Sequence, residues 1–312
     1  MTRLITEEEV LRDLTMPVAI ELVERAFREL AEGTAINHPR RRVILPTGSI
    51  LHYMAGGNAH YFGIKVYSSN PRTGVHFKFL LFRSADGLPI ATIEANYMGQ
   101  IRTGAASAVG TKVLARNDAS VLGVIGSGFQ AETQVWAISQ VRDLREVRVW
   151  SRNKEKRDAF ARRCSEEFGL TVIAKDTARE AVASADIVVT ATNSKDPVLE
   201  SAWIAPGTHL NAMGSNWLIK RELPTDLVMD RAAVVAVDSV EDAYLESGDL
   251  MIPLAERPGA EFRAVELSEI VAGKIAGRTS AEQVTIFKSN GLAVQDVVAA
   301  GYLYELACQN QG

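Results

Sequence analysis

The stretch Val121-Leu122-Gly123-Val124-Ile125-Gly126-Ser127-Gly128-Phe129-Gln130-Ala131 decides the fold. An apolar run suited to a buried strand enters GxGxxA directly, and residues 130–142 follow with a helical pattern. Each small residue has a task in that setting. Gly126 permits the tight turn, Gly128 leaves the backbone open to a pyrophosphate, and Ala131 lets the helix pack close to the strand. The helix N-terminus then presents free N–H groups to phosphate. The pattern alone also suits a plain strand-to-helix turn. Strand, helix and following strand together make it a dinucleotide site.

Downstream, strand-like and helix-like runs alternate. REVRVW (145–150), TVIA (171–174), DIVVTAT (186–192), THLNAMG (208–214), AAVVAVDS (232–239) and QVTIFKS (283–289) are separated by helical stretches such as 153–168 and 177–184. Such alternation predicts a parallel sheet covered on both faces. The second strand ends at Trp150, and Ser151-Arg152-Asn153-Lys154 follow. An NAD-selective tip usually carries Asp or Glu for the ribose 2′-hydroxyl. Here Ser151 and Arg152, with Asn153 beside them, suit a 2′-phosphate, so NADP(H) is favoured and NAD(H) is the alternative. Arg152 and Lys154 also suit a solvated helix start.

Upstream, residues 6–33 read as helix, with Thr6 as N-cap and Glu7 to Glu9 in its first turn. Residues 40–97 read as strands and turns, and 98–116 as a helix rich in small residues. A closing helix runs from about Ala293 to Ala307. The expected architecture is α/β. A central Rossmann domain with a doubly wound parallel sheet spans 117–292. An α+β domain for substrate binding and dimerisation is built from 1–116 with 293–312.

The 312 residues carry a formal net charge of -4, with 47% hydrophobic and 23% charged residues. That balance gives no general attraction to nucleic acid or to an acidic membrane. Cys164 and Cys308 lie far apart, which argues against a disulfide framework and fits a reducing, cytoplasmic setting. The histidines show no metal-ligand spacing and are expected to be structural or surface residues. No metal site is expected. Asp238, Glu241 and Asp242 are expected to be exposed acidic residues rather than catalytic ones.

The run Ile101-Arg102-Thr103-Gly104-Ala105-Ala106-Ser107-Ala108, the GxGxxA turn, His209-Leu210-Asn211-Ala212-Met213-Gly214 and Phe287-Lys288-Ser289-Asn290-Gly291-Leu292-Ala293, in this order, resemble the ornithine cyclodeaminase/mu-crystallin family. The resemblance covers nearly the whole chain. It implies a homodimer acting at the nitrogen-bearing α-carbon of an amino or imino acid. The substrate carboxylate would be gripped by Arg41 and Lys65, with Arg40 and Arg42 leaving the register open by one residue. Arg102 and Thr103 would contact cofactor or substrate. Phe129 and Gln130 would lie at the pyrophosphate turn, Thr192 near the ribose or nicotinamide, and Asn211, Ala212 and Met213 under the nicotinamide. Ser289 and Asn290 would close the pocket.

Two positions depart from the family pattern. Asn216 stands where cyclodeaminases carry a proton-transferring aspartate, and an amide is neither acid nor base. Lys78 stands where a small hydroxyl residue is usual. It would either add a cation to the pocket, with His76 on the same strand face, or point outward. The resulting expectation is an NAD(P)H-dependent imino-acid reductase or amino-acid dehydrogenase, with the nitrogen protonated by Lys65, Lys78 or water. The alternatives are a redox-neutral cyclodeaminase and a non-catalytic NADPH-dependent binding protein.

Overall fold

The computed structural model describes residues 2–261 and 263–310. The chain forms two compact units, Met1–Arg102 with Gly291–Gly312, and Thr103–Asn290. The boundary expected at 116/117 falls earlier, inside the helix Asn96–Leu114. The small residues explain the shift. A Cβ on Gly104 would meet Thr133 O at 2.6 Å, and one on Gly110 would meet the Phe287 ring at 2.7 Å. From Thr103 onward this helix therefore packs as part of the second unit.

The second unit is an eight-stranded, wholly parallel sheet. From Val121–Ile125 the chain moves outward to Glu146–Trp150 and then Val172–Ala174. It returns to the other side at Ile187–Thr190, followed by His209–Ala212, Val284–Lys288, Ala232–Val237 and Ala264–Glu266 in spatial order. The reversal beside Val121–Ile125 is the switch point at which doubly wound sheets bind ligands, at the carboxyl ends of the strands. Val121–Ile125, Ile187–Thr190, His209–Ala212 and Val284–Lys288 are buried at every position, as expected of strands covered on both faces. The short strand Ala264–Glu266 carries too little apolar signal to be seen in sequence.

The first unit is a six-stranded mixed sheet. Five strands form an antiparallel meander from Ile36–Ile44 to Pro89–Glu94, and Arg3–Ile5 joins Pro89–Glu94 in parallel. The predicted N-terminal helix is two helices, Glu7–Asp13 and Met16–Ala31. Pro17 has no N–H to donate back to the preceding turn, so the first helix does not run through it, and the extended Leu14 and Thr15 form the break. Thr6 caps the first helix through a reciprocal capping box with Glu9. One sheet face, with Met54, Phe79, Leu81 and Ile93, is buried with the amphipathic face of Met16–Ala31 and the closing helix Ala293–Gln309. Burying a residue such as Phe27 there contributes about 1.5–3 kcal/mol. The opposite face leaves Leu51, Tyr53, Phe62 and Leu80 exposed.

Candidate active site

The first unit builds a buried charged cluster around Lys65. In the antiparallel register Lys65 stands opposite Phe79 and Met54, so its side chain points into the apolar face of the sheet. It is 1% exposed. Nζ donates to Asp296 Oδ1 at 2.8 Å, and Arg102 Nε lies 3.4 Å from the same oxygen. Arg102 Nη1 donates to Gln295 Oε1 at 3.3 Å. The Phe77 ring lies under the ammonium, 5.2 Å from Nζ to its centroid. A Cβ on Gly99 would come within 2.7 Å of Nζ, so only glycine leaves the ammonium its place. Burial pushes the Lys65 ammonium down to about 8, against the restoring attraction of Asp296, and the Arg102 and Arg40 cations push in the same direction as burial.

The arginine that shares this cluster is Arg40. Arg40 is 6% exposed, whereas Arg41 is exposed. The pairing of Ile36–Ile44 with Ile50–Gly57 slips between His38 and Arg41, and this bulge re-aims Arg40 to the buried side. The structure therefore does not bring Arg41 to Lys65. It does not bring Lys78 there either. Lys78 pairs opposite Val66, on the other face from Lys65 and Phe79. Its ammonium is half exposed and ion-pairs with Glu94 at 2.8 Å. The exposed His76 bonds Thr73 O. Strand alternation alone decides the orientation, and Lys78 takes the outward option.

In the second unit Gly126 adopts φ +119°, and a Cβ there would strike Ala191 O at 2.4 Å. Gly128 caps the helix Phe129–Ser139, and a Cβ there would meet no protein atom within 4 Å. Any larger residue would thus fill the space in front of the helix N-terminus, which is where a pyrophosphate belongs. Gln130 Oε1 is buried there without a hydrogen-bond partner among the described residues. Ser127 Oγ donates to Ser151 Oγ at 2.8 Å, tying this turn to the tip of the next strand. Arg152 is exposed, and Asn153 caps the following helix through Lys156 N at 2.8 Å. These residues fit a dinucleotide.

The ends of the next two strands are held by a buried carboxylate that the sequence did not disclose. Glu222 Oε1 accepts Thr192 N at 2.6 Å, while Oε2 accepts Gly214 N at 2.8 Å and Thr190 Oγ1 at 3.0 Å. Glu222 N donates to Asp249 Oδ1 at 2.6 Å, and Asp249 Oδ2 lies 3.3 Å from Lys288 Nζ. Lys288 also donates to Ser215 O. Burial, and next the Asp249 charge, raise the Glu222 carboxyl above its ordinary range. This network fixes the backbone at Thr192 and at Met213–Gly214. Asn216 follows, half-buried, two residues further on. The Asn211 side chain is directed into the interior, donating to Thr111 Oγ1 at 3.0 Å and contacting His209 Nε2 at 3.3 Å. It positions the strand, so of the three residues Asn211 is engaged structurally, Ala212 ends the strand and Met213 follows it.

Asp238 and Asp242 are buried, contrary to expectation, and only Glu241 of the three is exposed. Asp238 Oδ2 accepts Ser289 Oγ at 2.7 Å and Asn290 N at 2.9 Å, and Asn290 Nδ2 donates to Asp242 O at 3.2 Å. Both candidate pocket residues are thus held from behind by the Asp238 carboxylate, and Asn290 also by the backbone carbonyl of Asp242. Thr103 is buried.

The residues missed in sequence had a common signal. Asp296 is the one charged residue from Ala293 to Tyr304, and Lys288 ends a strand buried throughout. A charge inside an apolar stretch asks for a partner. Nothing local identifies which one: Lys65 and Asp296 are 231 residues apart.

The sequence matches the ornithine cyclodeaminase/mu-crystallin family over residues 1–311, and the chain belongs to that family. It is 43% identical to a Delta(1)-pyrroline-2-carboxylate reductase of Bacillus cereus over 72% of this chain and 68% of the relative. It is 34% identical to an alanine dehydrogenase of Archaeoglobus fulgidus over 98% and 95% of the two chains. The fold resembles that of the Thermococcus litoralis Delta(1)-pyrroline-2-carboxylate reductase solved with NADH and L-proline, with TM-score 0.93, 35% identity and 99% and 98% coverage.

Proposed function

We propose that this protein is an NAD(P)H-dependent reductase of an α-imino acid, able to run in reverse as an amino-acid dehydrogenase. The observation that carries the reading is Lys65, a buried ammonium held between Asp296, Arg102 and Arg40 in a chain that also carries a dinucleotide turn. Reductases and dehydrogenases acting on imino and amino acids among its relatives support it.

In this reading Arg40, not Arg41, and Arg102 bind the substrate carboxylate, since a guanidinium donates two parallel bonds to it. Lys65 shares that grip and supplies the proton to the nitrogen. Desolvation makes it a stronger acid than a solvated lysine while most of it stays charged at neutral pH. Asn290 borders the substrate, and Asn216 hydrogen-bonds it without exchanging protons. The Gly126–Gln130 turn holds the pyrophosphate, Ser151 to Asn153 the adenosine ribose, and Thr192, Met213 and Ser289 the nicotinamide end. Bound NAD(P)H supplies the hydride that reduces the carbon of the C=N bond. The tip at Ser151-Arg152 favours NADP(H) over NAD(H). The protein functions as a homodimer, which the exposed apolar face of the six-stranded sheet and the dimeric archaeal alanine dehydrogenase support. A cyclodeaminase is disfavoured by Asn216.

The test is cofactor oxidation by the purified protein, with NADPH and NADH supplied separately. Cyclic α-imino acids are compared with 2-oxo acids plus ammonia or methylamine. Imine-dependent oxidation is expected. Ammonia release from a diamino acid without net cofactor turnover would overturn the reading.

A further inference from the structure

We propose that Asp296 is the positioning residue of this site: through one oxygen it fixes the direction of the Lys65 ammonium and keeps it charged for delivery to the substrate nitrogen. The proposal rests on the reading of Lys65 as proton donor. Its own warrant is geometric. Asp296 Oδ1 contacts Lys65 Nζ at 2.8 Å and Arg102 Nε at 3.4 Å, and the residue is fully buried. Its second oxygen, Oδ2, is buried without a hydrogen-bond partner among the described residues. Both side chains are buried, so the carboxylate charge acts on the ammonium with less screening than at the surface.

Asp296 is itself anchored from two directions. It lies in the first turn of Ala293–Gln309, whose N-terminus stabilises a negative charge. Asn37 Oδ1, from the strand Ile36–Ile44, accepts Ala293 N at 2.7 Å and holds that turn in place. Among the described residues, the charged groups that act most on Lys65 are Asp296 from the closing helix, Arg102 from Asn96–Leu114 and Arg40 from the bulged strand. The two arginines and burial all oppose a charged lysine; the Phe77 ring favours it weakly, and Asp296 is the one anion that favours it among the described residues. Removing that one carboxylate charge leaves three cations together, of which only lysine can release its proton.

The experiment follows Lys65 directly in the full-length protein by nuclear magnetic resonance of lysine labelled at Cε, with the signal assigned by its loss in Lys65→Met. Wild type is expected to titrate near 8. Asp296→Asn is expected to lower the midpoint by about 1–3 pH units, and Asp296→Glu to restore it in part. An unchanged or raised midpoint in Asp296→Asn overturns the proposal. If Asp296→Asn does not fold, the Asp296→Glu midpoint decides alone: a longer side chain that displaces the contact must shift it, and no shift overturns the proposal. In parallel, the alkaline fall of kcat/KM for imine reduction is expected to move with the midpoint, while the KM for the dinucleotide stays put. A midpoint that moves with a rate profile that does not would support the positioning of Lys65 by Asp296 and remove Lys65 as the donor.

Discussion

Glu222 accepts the backbone N–H of Thr192 through one oxygen and that of Gly214 through the other. One buried side chain thereby fixes the carboxyl ends of two neighbouring parallel strands, where a doubly wound sheet meets its ligand. In Glu222→Gln one of those N–H groups faces an amide N–H instead of an oxygen. The expected cost is about 1–3 kcal/mol in stability. The KM for the dinucleotide is expected to rise while substrate KM changes little. Thermal melts and initial rates check both, and a variant with wild-type cofactor KM would refute the role.

Lys65 and Lys78 lie on opposite faces of one sheet and are expected to behave oppositely. Lys65→Met should lower kcat/KM by about 10²–10⁴, the usual worth of a positioned proton donor. Lys78→Met breaks only an exposed pair with Glu94 and should change stability by under about 1 kcal/mol and leave the rate nearly unchanged. Steady-state kinetics on the two variants side by side distinguish them. Comparable losses would place Lys78 in the site after all.

The reduction is expected to slow above about pH 8, because Lys65 must be protonated to donate, and the reverse dehydrogenation to gain over the same range. Stability moves the opposite way from the reduction rate. The folded chain holds Lys65 less tightly protonated than the unfolded chain does, from about 8 up to 10.5, so its contribution to stability grows as pH rises across that window. A reductive kcat/KM profile flat from pH 7 to 9.5 would refute the assignment.

His209 is fully buried between Thr285 and Asn211, and burial pushes it down to about 3. His52, stacked on Tyr67 at 4.3 Å, is pushed down to about 4 by burial and by the neighbouring Arg42 and Arg40. Both stay neutral in the folded chain while the unfolded chain protonates them below about 6.5. Stability should therefore fall with acidification through this window, by up to ~1.4 kcal/mol per pH unit for each group, less for the half-buried His52. The slope of unfolding free energy against pH between 6.5 and 4.5 should be shallower in His209→Gln. Equal slopes would count against the buried neutral state.

Arg152→Ala should reduce the preference for NADPH over NADH, measured as a ratio of kcat/KM values, by roughly ten- to a hundredfold, the worth of a hydrogen bond to a charged group. An unchanged ratio would assign Arg152 to the solvated start of its helix.

Much of this was legible in the sequence because it is local. The Gly126–Ala131 turn, the alternation of buried strands with helices, and the exchange of Asp for Asn216 are each written within a few residues. The Arg40–Arg41 register was not, because a bulge at Pro39 breaks the alternation on which face assignment depends. Lys78 had two allowed faces, and only pairing with Val66 chose between them. Asp238 and Asp242 look like surface acids until the chain returns with Ser289 and Asn290. Buried charge pairs such as Lys65–Asp296 are relations between distant segments, and composition does not encode them.

That last pair also sets a timetable. The Thr103–Asn290 unit is one uninterrupted stretch and can acquire its parallel sheet while synthesis continues. The other unit has to wait, because Lys65 and its counter-ion are 231 residues apart and flank the whole of the first-completed stretch. Until residues past Gly291 emerge from the ribosome, the meander lacks the helix that covers it and an ammonium sits uncompensated on its apolar face. An interrupted transcript would yield a nascent chain with a finished dinucleotide module and an exposed, sticky sheet, a natural substrate for chaperones and proteases.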